Sequence, residues 1–308
     1  MRRIYSDYAY SQHPRSNCWW DDTITAPHWP QLQGELATDV AIIGGGFTGI
    51  SAALHLAQDG VGVAVLEAET PGWGASGRNG GFCCLGGTKL SSGAMRRIFG
   101  KAATDSYEAS EVAAVQLVRN LLDNHEIDAD THSNGETQLA HSKRAARQLL
   151  ATANAMRDAG AEPVFQTREQ LTEQGMNAGF HAALTTPVGF ALNPRKYLFG
   201  LAKAAQTAGA TLFQNSAAQR VKKTSGGYEI TTKQGILRAS KLVIATNGYS
   251  SEDIPEWLAG RYMPTQSTVM VTRPISEAEL SSQGWHSHQM AYDTRNLLHY
   301  FRLMPDKR

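Results

Sequence analysis

Residues 39–67, DVAIIGGGFTGISAALHLAQDGVGVAVLE, constrain this chain more than any other stretch. Asp39 to Ile43 is a short apolar run, the mark of a buried parallel strand. Ile50, Ala53, Leu54 and Ala57 then recur on one helical face, with Gly60 as the stop, and Val61 to Glu67 reads as a second strand. Strand, helix and strand together make one βαβ unit of about thirty residues. At its turn, Gly44-Gly45-Gly46-Phe47-Thr48-Gly49 fits G-x-G-x-x-G with a strand before it and a helix after it. Gly44 permits the tight turn, Gly46 lets backbone approach a pyrophosphate, and Gly49 allows helix and strand to pack closely. The helix start offers unpaired N–H groups and the positive end of its dipole to phosphate. Glu67, about twenty residues beyond the first glycine, stands where an acid bonds ribose hydroxyls. Its charge would repel a phosphorylated ribose. A glycine-rich turn with no ligand is the plainer alternative, but the register of all four features points to a bound dinucleotide.

The rest of the composition narrows the partners. With 308 residues, 42% of them hydrophobic and 19% charged, the chain can bury a large α/β core. A net charge of +1 leaves no electrostatic case for nucleic acid or an anionic membrane. No run approaches the roughly 20 apolar residues of a membrane span, and the two arginines near the start lead into no apolar segment. Three cysteines, two of them adjacent, make no disulfide framework. These features lead us to expect a cytoplasmic protein.

Residues 1–35 read as an extended arm, polar, proline-rich and dotted with aromatics. Beyond the βαβ unit, helical spacing recurs over Thr104–Asn124 and Lys143–Ala159, and Pro194 opens a helix that ends at Gly209. Strand patterns fall at Thr137–Ala140, Ala182–Leu192, TLFQ, QRVKK, GYEITT, GILRAS and KLVIAT, then at Gln266–Thr272 and Leu297–Leu303, with a small helix from Ser276.

The fingerprint does not distinguish NAD from FAD, but two later features do. An NAD fold normally proceeds to further βα units, whereas here GWGASGRNGG (72–81) intervenes five residues after Glu67. The chain then returns, after some hundred and fifty residues, with Leu242-Val243-Ile244-Ala245-Thr246-Asn247-Gly248, a strand closing on Asn-Gly. Leaving and re-entering the nucleotide fold implies an interleaved architecture. An NAD-dependent dehydrogenase remains the alternative enzyme, and the glycine–arginine loop counts against it.

From Leu32 to the last residue the chain resembles the D-amino-acid-oxidase-like, FAD-dependent oxidoreductases, and within them the γ-glutamylputrescine-oxidase-like amine oxidases. The resemblance rests on LQGELATDVAIIGGGFTGISAALHLAQDGVGVAVLEAETPGWGASGRNGGF, NPRKYLFGLAKAAQTAGATLF, KLVIATNGYS and YFRLMPDKR. It implies an α/β fold in which an FAD-binding, Rossmann-like domain of the glutathione-reductase type (36–128 and 190–250) is interleaved with an α+β substrate domain on an antiparallel sheet (129–189 and 251–308). It further implies FAD with its diphosphate over Gly44, Gly46, Phe47, Thr48 and Gly49 and its ribose on Glu67 and Ala68. Ala75, Ser76, Arg78, Asn79, Gly80 and Gly81 would line the diphosphate and isoalloxazine ring. The backbone of Val221 would bracket adenine, and Thr246, Asn247 and Gly248 would close the site. The implied reaction passes hydride from the carbon beside a neutral amine nitrogen to the flavin, with oxygen or another electron acceptor completing the cycle. The cofactor carries the chemistry, so no strong acid or base need appear.

The chain departs from the family pattern in three places. Asn193-Pro194 replaces its His-Pro, Phe82-Cys83-Cys84 follows GRNGG, and the chain stops at Arg308 where relatives continue into the glycine-rich edge around the flavin. An inactive fragment that binds FAD or its ADP half is therefore a third reading.

Other residues have plainer roles. Cys83-Cys84 reads as packing rather than a redox pair or a flavin anchor, and His286-Ser287-His288 as a solvated loop rather than a metal pair. Trp19-Trp20 tucks the arm onto the body. Tyr300 and Arg302 alternate on a strand and either face a substrate pocket, where the arginine would hold a carboxylate, or lie on the surface in an ion pair. No metal site is expected.

Overall fold

The computed structural model describes residues 2–11 and 18–308; Met1 and residues 12–17 of the expected arm lie outside the described residues. The chain divides into two compact units: residues 1–79, 122–129 and 193–269, and residues 80–121, 130–192 and 270–308.

The first unit contains a short helix α1 (Asp7–Tyr10), then β1 (Gly34–Ile43), α2 (Phe47–Gln58) and β2 (Val63–Leu66). It resumes with α7 (Pro194–Thr207), β8 (Thr211–Phe213), β9 (Arg220–Thr224), β10 (Gly227–Thr231) and β11 (Gly235–Ile244). These strands form one sheet in the order β8-β2-β1-β11-β10-β9. β8, β2, β1 and β11 run parallel, whereas β9 and β10 are antiparallel. Ala41, Ile43, Ala64, Leu66, Phe213, Ile230 and Leu237 form its buried core. The expected strands GILRAS and KLVIAT fall in one strand, because β1 pairs with β11 on both sides of Ser240, from Gly34↔Gly235 to Thr38↔Ala239 and from Val40↔Lys241 to Ile43↔Ile244. A long parallel neighbour holds the two stretches in one register, where the sequence alone suggests a break.

The second unit holds β3 (Phe82–Cys83), α3 (Ser92–Phe99), α4 (Lys101–Asn124, whose end joins the first unit), β4 (Glu136–Leu139), α5 (Lys143–Asp158), β5 (Val164–Thr167), α6 (Arg168–Glu173), β6 (Ala182–Thr186) and β7 (Phe190–Ala191). α8 (Glu277–Gln283), β12 (Ala291–Asp293) and β13 (Tyr300–Phe301) complete it. Its main sheet has the order β13-β12-β4-β6-β5, antiparallel except where β12 runs parallel to β4. β3 pairs with β7, and the Leu192 amide donates to the Gly81 carbonyl at 2.9 Å. Ala191 also bridges His132, and the Gly135 amide donates to the Gly189 carbonyl at 2.9 Å, so residues 80–121 and 190–192, placed in the nucleotide domain on sequence, fold with the second unit. Residues 251–269, expected in the substrate domain, fold with the first.

The small helix expected from Ser276 is α8, and Ser276 is its N-cap, its hydroxyl accepting from the Glu279 amide. Gln266–Thr272 forms no strand among the described residues, although it is rich in β-branched residues. Such a run becomes a strand only with a neighbour for its backbone donors. The strand expected over Leu297–Leu303 shrinks to Tyr300–Phe301, and Ala182–Leu192 is broken into β6 and β7.

Candidate cofactor site

In the first unit the carboxyl ends of three parallel strands meet at the glycine fingerprint. The Gly44 amide donates to the Leu66 carbonyl at 2.9 Å, and the Ala245 amide to the Ile43 carbonyl at 2.8 Å. Gly44 has φ +113°, and a Cβ there would lie 2.5 Å from the Ala245 oxygen. A Cβ on Gly49 would run into the Gly44 carbonyl and approach Ile42. These two glycines therefore do what the motif demands: one makes the turn and the other admits the helix against the strand. Gly46 is the N-cap of α2 and supplies no side-chain cap; Ser76 Oγ takes the Phe47 amide, and the amides that follow in the first turn suit a phosphate.

Glu67 closes β2 beside this turn. Its Oε2 accepts from the Gly45 amide at 2.6 Å and its Oε1 from the Glu69 amide at 3.0 Å. Burial pushes its pKa above the ordinary carboxylate value, with those amides opposing the shift. Each oxygen retains a lone pair for a hydroxyl donor. Ala68 follows it, exposed.

The glycine–arginine loop docks on the fingerprint. The Gly72 amide donates to the Gly45 carbonyl at 3.1 Å, and the Phe47 amide to Ser76 Oγ at 3.0 Å. A Cβ on Gly46 would stand 2.8 Å from that same Oγ. Arg78 Nε donates to the Trp73 carbonyl at 2.6 Å, and Asn79 Nδ2 to the carbonyls of Ala75 and Ser76 at 3.1 and 2.9 Å. The turn after β11 joins them: a Cβ on Gly74 would lie 2.9 Å from the Tyr249 ring, which meets Trp73 edge-on. Thr246 Oγ1 bonds Ser250 Oγ at 2.6 Å, and Asn247 takes φ +44° before Gly248. Segments some hundred and seventy residues apart in sequence thus form one cradle. Val221 lies on the edge strand β9, its side chain packed on the core, so only its backbone can serve a ligand. It also lines an open cavity of about 400 Å³ with Arg220, Lys222, Ile254 and Trp257.

Gly80 and Gly81 belong to the second unit, where Tyr300 and Arg302 lie against them. A Cβ on Gly80 would be 2.7 Å from the Tyr300 ring, and one on Gly81 2.5 Å from Arg302 Nη2. Arg302 is largely buried rather than laid out on the surface. Its Nη2 donates to the Leu192 carbonyl at 2.8 Å and its Nη1 to His132 Nε2 at 3.1 Å, while burial lowers its pKa to about 10. His132 Nδ1 donates to the His288 carbonyl at 3.0 Å, which fixes the tautomer that leaves Nε2 as acceptor. Burial and the Arg302 charge hold the His132 pKa down near 4, so the imidazole is neutral at physiological pH.

Cys83 and Cys84 are free and half-buried; burial raises both thiol pKa values, Cys83 to about 11 and Cys84 further. Protonated thiols of this kind pack rather than react. His286 and His288 are exposed and lie outside any helix or strand. Trp20 does tuck the arm down: it is buried, with its Nε1 donating to the Asn79 carbonyl at 2.9 Å.

Asn193, the departure from His-Pro, has a structural duty. Its Oδ1 accepts from the Arg195 and Lys196 amides at 3.1 and 3.2 Å, capping α7, and its Nδ2 donates to Thr23 Oγ1 at 2.9 Å. An Asn directly before a helix-opening Pro is a capping signature that could have been read from sequence. Asn193→Ala is expected to cost about 1–2 kcal/mol in urea unfolding. An unchanged midpoint would show that the cap contributes nothing.

A turn-forming fingerprint, an acid at the end of β2 and a fitted glycine loop define a dinucleotide cradle on a Rossmann-like sheet. The chain belongs to the FAD dependent oxidoreductase (DAO) family, whose description matches residues 39–308. FAD is the family's cofactor, which removes the nicotinamide alternative. The residues fit it: the glycines leave room where a Cβ would fill the cradle, and the first-turn amides of α2 and Glu67 offer donors and acceptors to diphosphate and ribose. The chain is 29% identical over 294 residues to the probable oxidoreductase OrdL of Rhizobium meliloti (strain 1021), covering 94% of this chain and 67% of that protein. It is 27% identical to gamma-glutamylputrescine oxidoreductase of Escherichia coli (strain K12), covering 90% and 64%. Among solved structures, glycine oxidase from Geobacillus kaustophilus superposes with a TM-score of 0.57 at 24% identity, over 71% of this chain and 58% of that one. L-proline dehydrogenase from P.horikoshii gives 0.62 at 17% identity, over 90% and 69%. These structures share the fold. The chain thus spans about two thirds of the length of the curated relatives named here. No helix among the described residues is long and apolar enough to cross a membrane.

Proposed function

We propose that this protein oxidises the C–N bond of an amine or amino acid, with a γ-glutamylated or other secondary or primary amine as the substrate class. The observation that carries this reading is the loop 72–79 hydrogen-bonded onto the fingerprint through Gly72 and Ser76. Such a surface suits a flavin, which needs glycine backbone against a flat ring as well as a phosphate site. Gly44 to Gly49 hold the diphosphate, Glu67 and Ala68 the ribose, and the Val221 backbone the adenine. Ala75, Ser76, Arg78, Asn79, Gly80 and Gly81 follow the cofactor toward its ring, and Thr246, Asn247 and Gly248 close over it. When bound, FAD supplies a two-electron acceptor for the hydride on the carbon beside the amine nitrogen, leaving an imine for water to hydrolyse and a reduced cofactor for oxygen or another acceptor to restore.

Tyr300 offers an aromatic wall against Gly80, and Arg302 a cation beside Gly81 that pairs with a substrate carboxylate. A neutral His132 behind Arg302 holds the guanidinium in place without competing for its charge. The relative that acts on gamma-glutamylputrescine supports the substrate class, and the site of action is the cytoplasm. The purified protein should be yellow with flavin absorption bands, or become so on reconstitution with FAD. It should release peroxide with γ-glutamylated polyamines, N-methyl amino acids or D-amino acids, or reduce a dye anaerobically if it is a dehydrogenase. A colourless protein that takes up no FAD, or one that releases NAD on denaturation, would overturn the reading.

A further inference from the structure

We infer that residues Cys18–Thr23 of the arm are a strap that positions the flavin loop, with Trp20 and Asp21 as its positioning residues. The inference rests on the reading that residues 75–79 meet FAD. The strap is short and fully tied down. Residues Trp19–Asp22 form one turn of 3₁₀ helix, with the two indoles packed edge to face at 4.9 Å. Trp20 is only 6% exposed, and its Nε1 donates to the Asn79 carbonyl at 2.9 Å. Cys18 Sγ lies 4.0 Å from the Gly77 carbonyl. Asn79 in turn donates to the carbonyls of Ala75 and Ser76, and Ser76 accepts from the first amide of α2. A continuous chain of hydrogen bonds therefore runs from the arm through the loop to the fingerprint.

The other end of the strap is held by charge. Arg195, in the first turn of α7, is 5% exposed, and its guanidinium pairs with Asp21. Its Nε finds no hydrogen-bond partner among the described residues, and it lies 3.4 Å from where a Cβ of Gly77 would stand. A buried cation directly beneath the loop is costly unless paired. Asp21 is the carboxylate that pairs it, so the strap cannot lift without exposing that cost. Thr23 adds the bond to Asn193 at the cap of the same helix. Gly77 is buried at the centre of these contacts, and a Cβ there would meet the Gly72 carbonyl. The loop is thus clamped between strap and fingerprint, with little freedom to adjust to a ligand. A loop held this way binds without further ordering cost.

The test compares FAD binding to apoprotein of wild type, Trp20→Phe and Asp21→Asn by quenching of FAD fluorescence, with urea unfolding of each apoprotein alongside. Trp20→Phe keeps a six-membered aromatic ring while removing the pyrrole ring that carries the donor to Asn79. Its Kd for FAD should rise about five- to tenfold, the effect of losing one hydrogen bond that positions the loop. The visible circular dichroism of bound FAD should change shape as the loop shifts, a signature that loss of packing far from the loop would not produce. Asp21→Asn should weaken FAD binding at least as much, and Asp21→Glu should restore part of it. Wild-type affinity and an unchanged flavin spectrum in both Trp20→Phe and Asp21→Asn would overturn the inference, whatever happens to their unfolding midpoints. Failure of the wild-type apoprotein to bind FAD would instead overturn the functional reading on which it depends.

Discussion

Gly44→Ala is expected to abolish FAD uptake, with the apoprotein destabilised by at least about 3 kcal/mol. Two independent costs fall on this one methyl group. The backbone sits at φ +113°, a conformation that L-residues with a Cβ rarely adopt, and the Cβ would stand 2.5 Å from the Ala245 oxygen. That oxygen is backbone in the turn after β11, so no flexible side chain can give way. Relief requires β1 and β11 to separate at their carboxyl ends, where the phosphate amides are displayed. Gly45→Ala provides the internal comparison, since its Cβ would meet the Glu67 side chain at 3.0 Å with ordinary backbone angles. It should cost less stability and act mainly by displacing Glu67. Titration of both apoproteins with FAD, together with urea unfolding, separates the two effects. FAD binding by Gly44→Ala with wild-type affinity would show that the turn is not where the diphosphate rests.

The second large effect is expected from Glu136, on β4 of the second unit. Its side chain is buried, at 8% exposure, and desolvation raises its pKa to about 7, helped by the Glu111 charge and opposed by a hydrogen bond from Cys84. Below about pH 4.5 the folded and unfolded states both hold the proton, and the group costs nothing. As pH rises the unfolded chain ionises first, so stability falls until the folded carboxyl ionises near pH 7. The loss amounts to on the order of 3 kcal/mol between pH 4.5 and 8. Urea unfolding of wild type and Glu136→Gln across that range should show the two curves converging at low pH and the glutamine variant more stable at pH 8. Parallel curves would mean that the buried carboxyl keeps an ordinary pKa. No sequence pattern marks this residue: its burial comes from the pairing of β4 with β6 and β12.

The nucleotide cradle was legible because its determinants are contiguous. A strand, a glycine turn, a helix and an acid follow one another within thirty residues, and each obeys a local rule of periodicity or backbone conformation. The N-cap at Asn193 was legible for the same reason. Strand extents were not. Gln266–Thr272 is rich in β-branched residues yet joins no strand ladder among the described residues, and β11 spans a break its own residues suggest, because a ladder depends on the neighbour as much as on the strand. Tyr300 and Arg302 share a strand face in the sequence, but that face carries no information about Gly80 and Gly81, more than two hundred positions earlier.

Local patterning therefore decides that this chain builds a glycine turn between strand and helix, which end of the sheet carries it, and that an acid closes the next strand. Tertiary structure alone decides that Trp20 holds Asn79, that Asp21 pairs a buried Arg195, and that Arg302 is backed by a neutral histidine. Those relations join residues far apart in sequence, and their energetics are set by burial, which only the assembled fold creates.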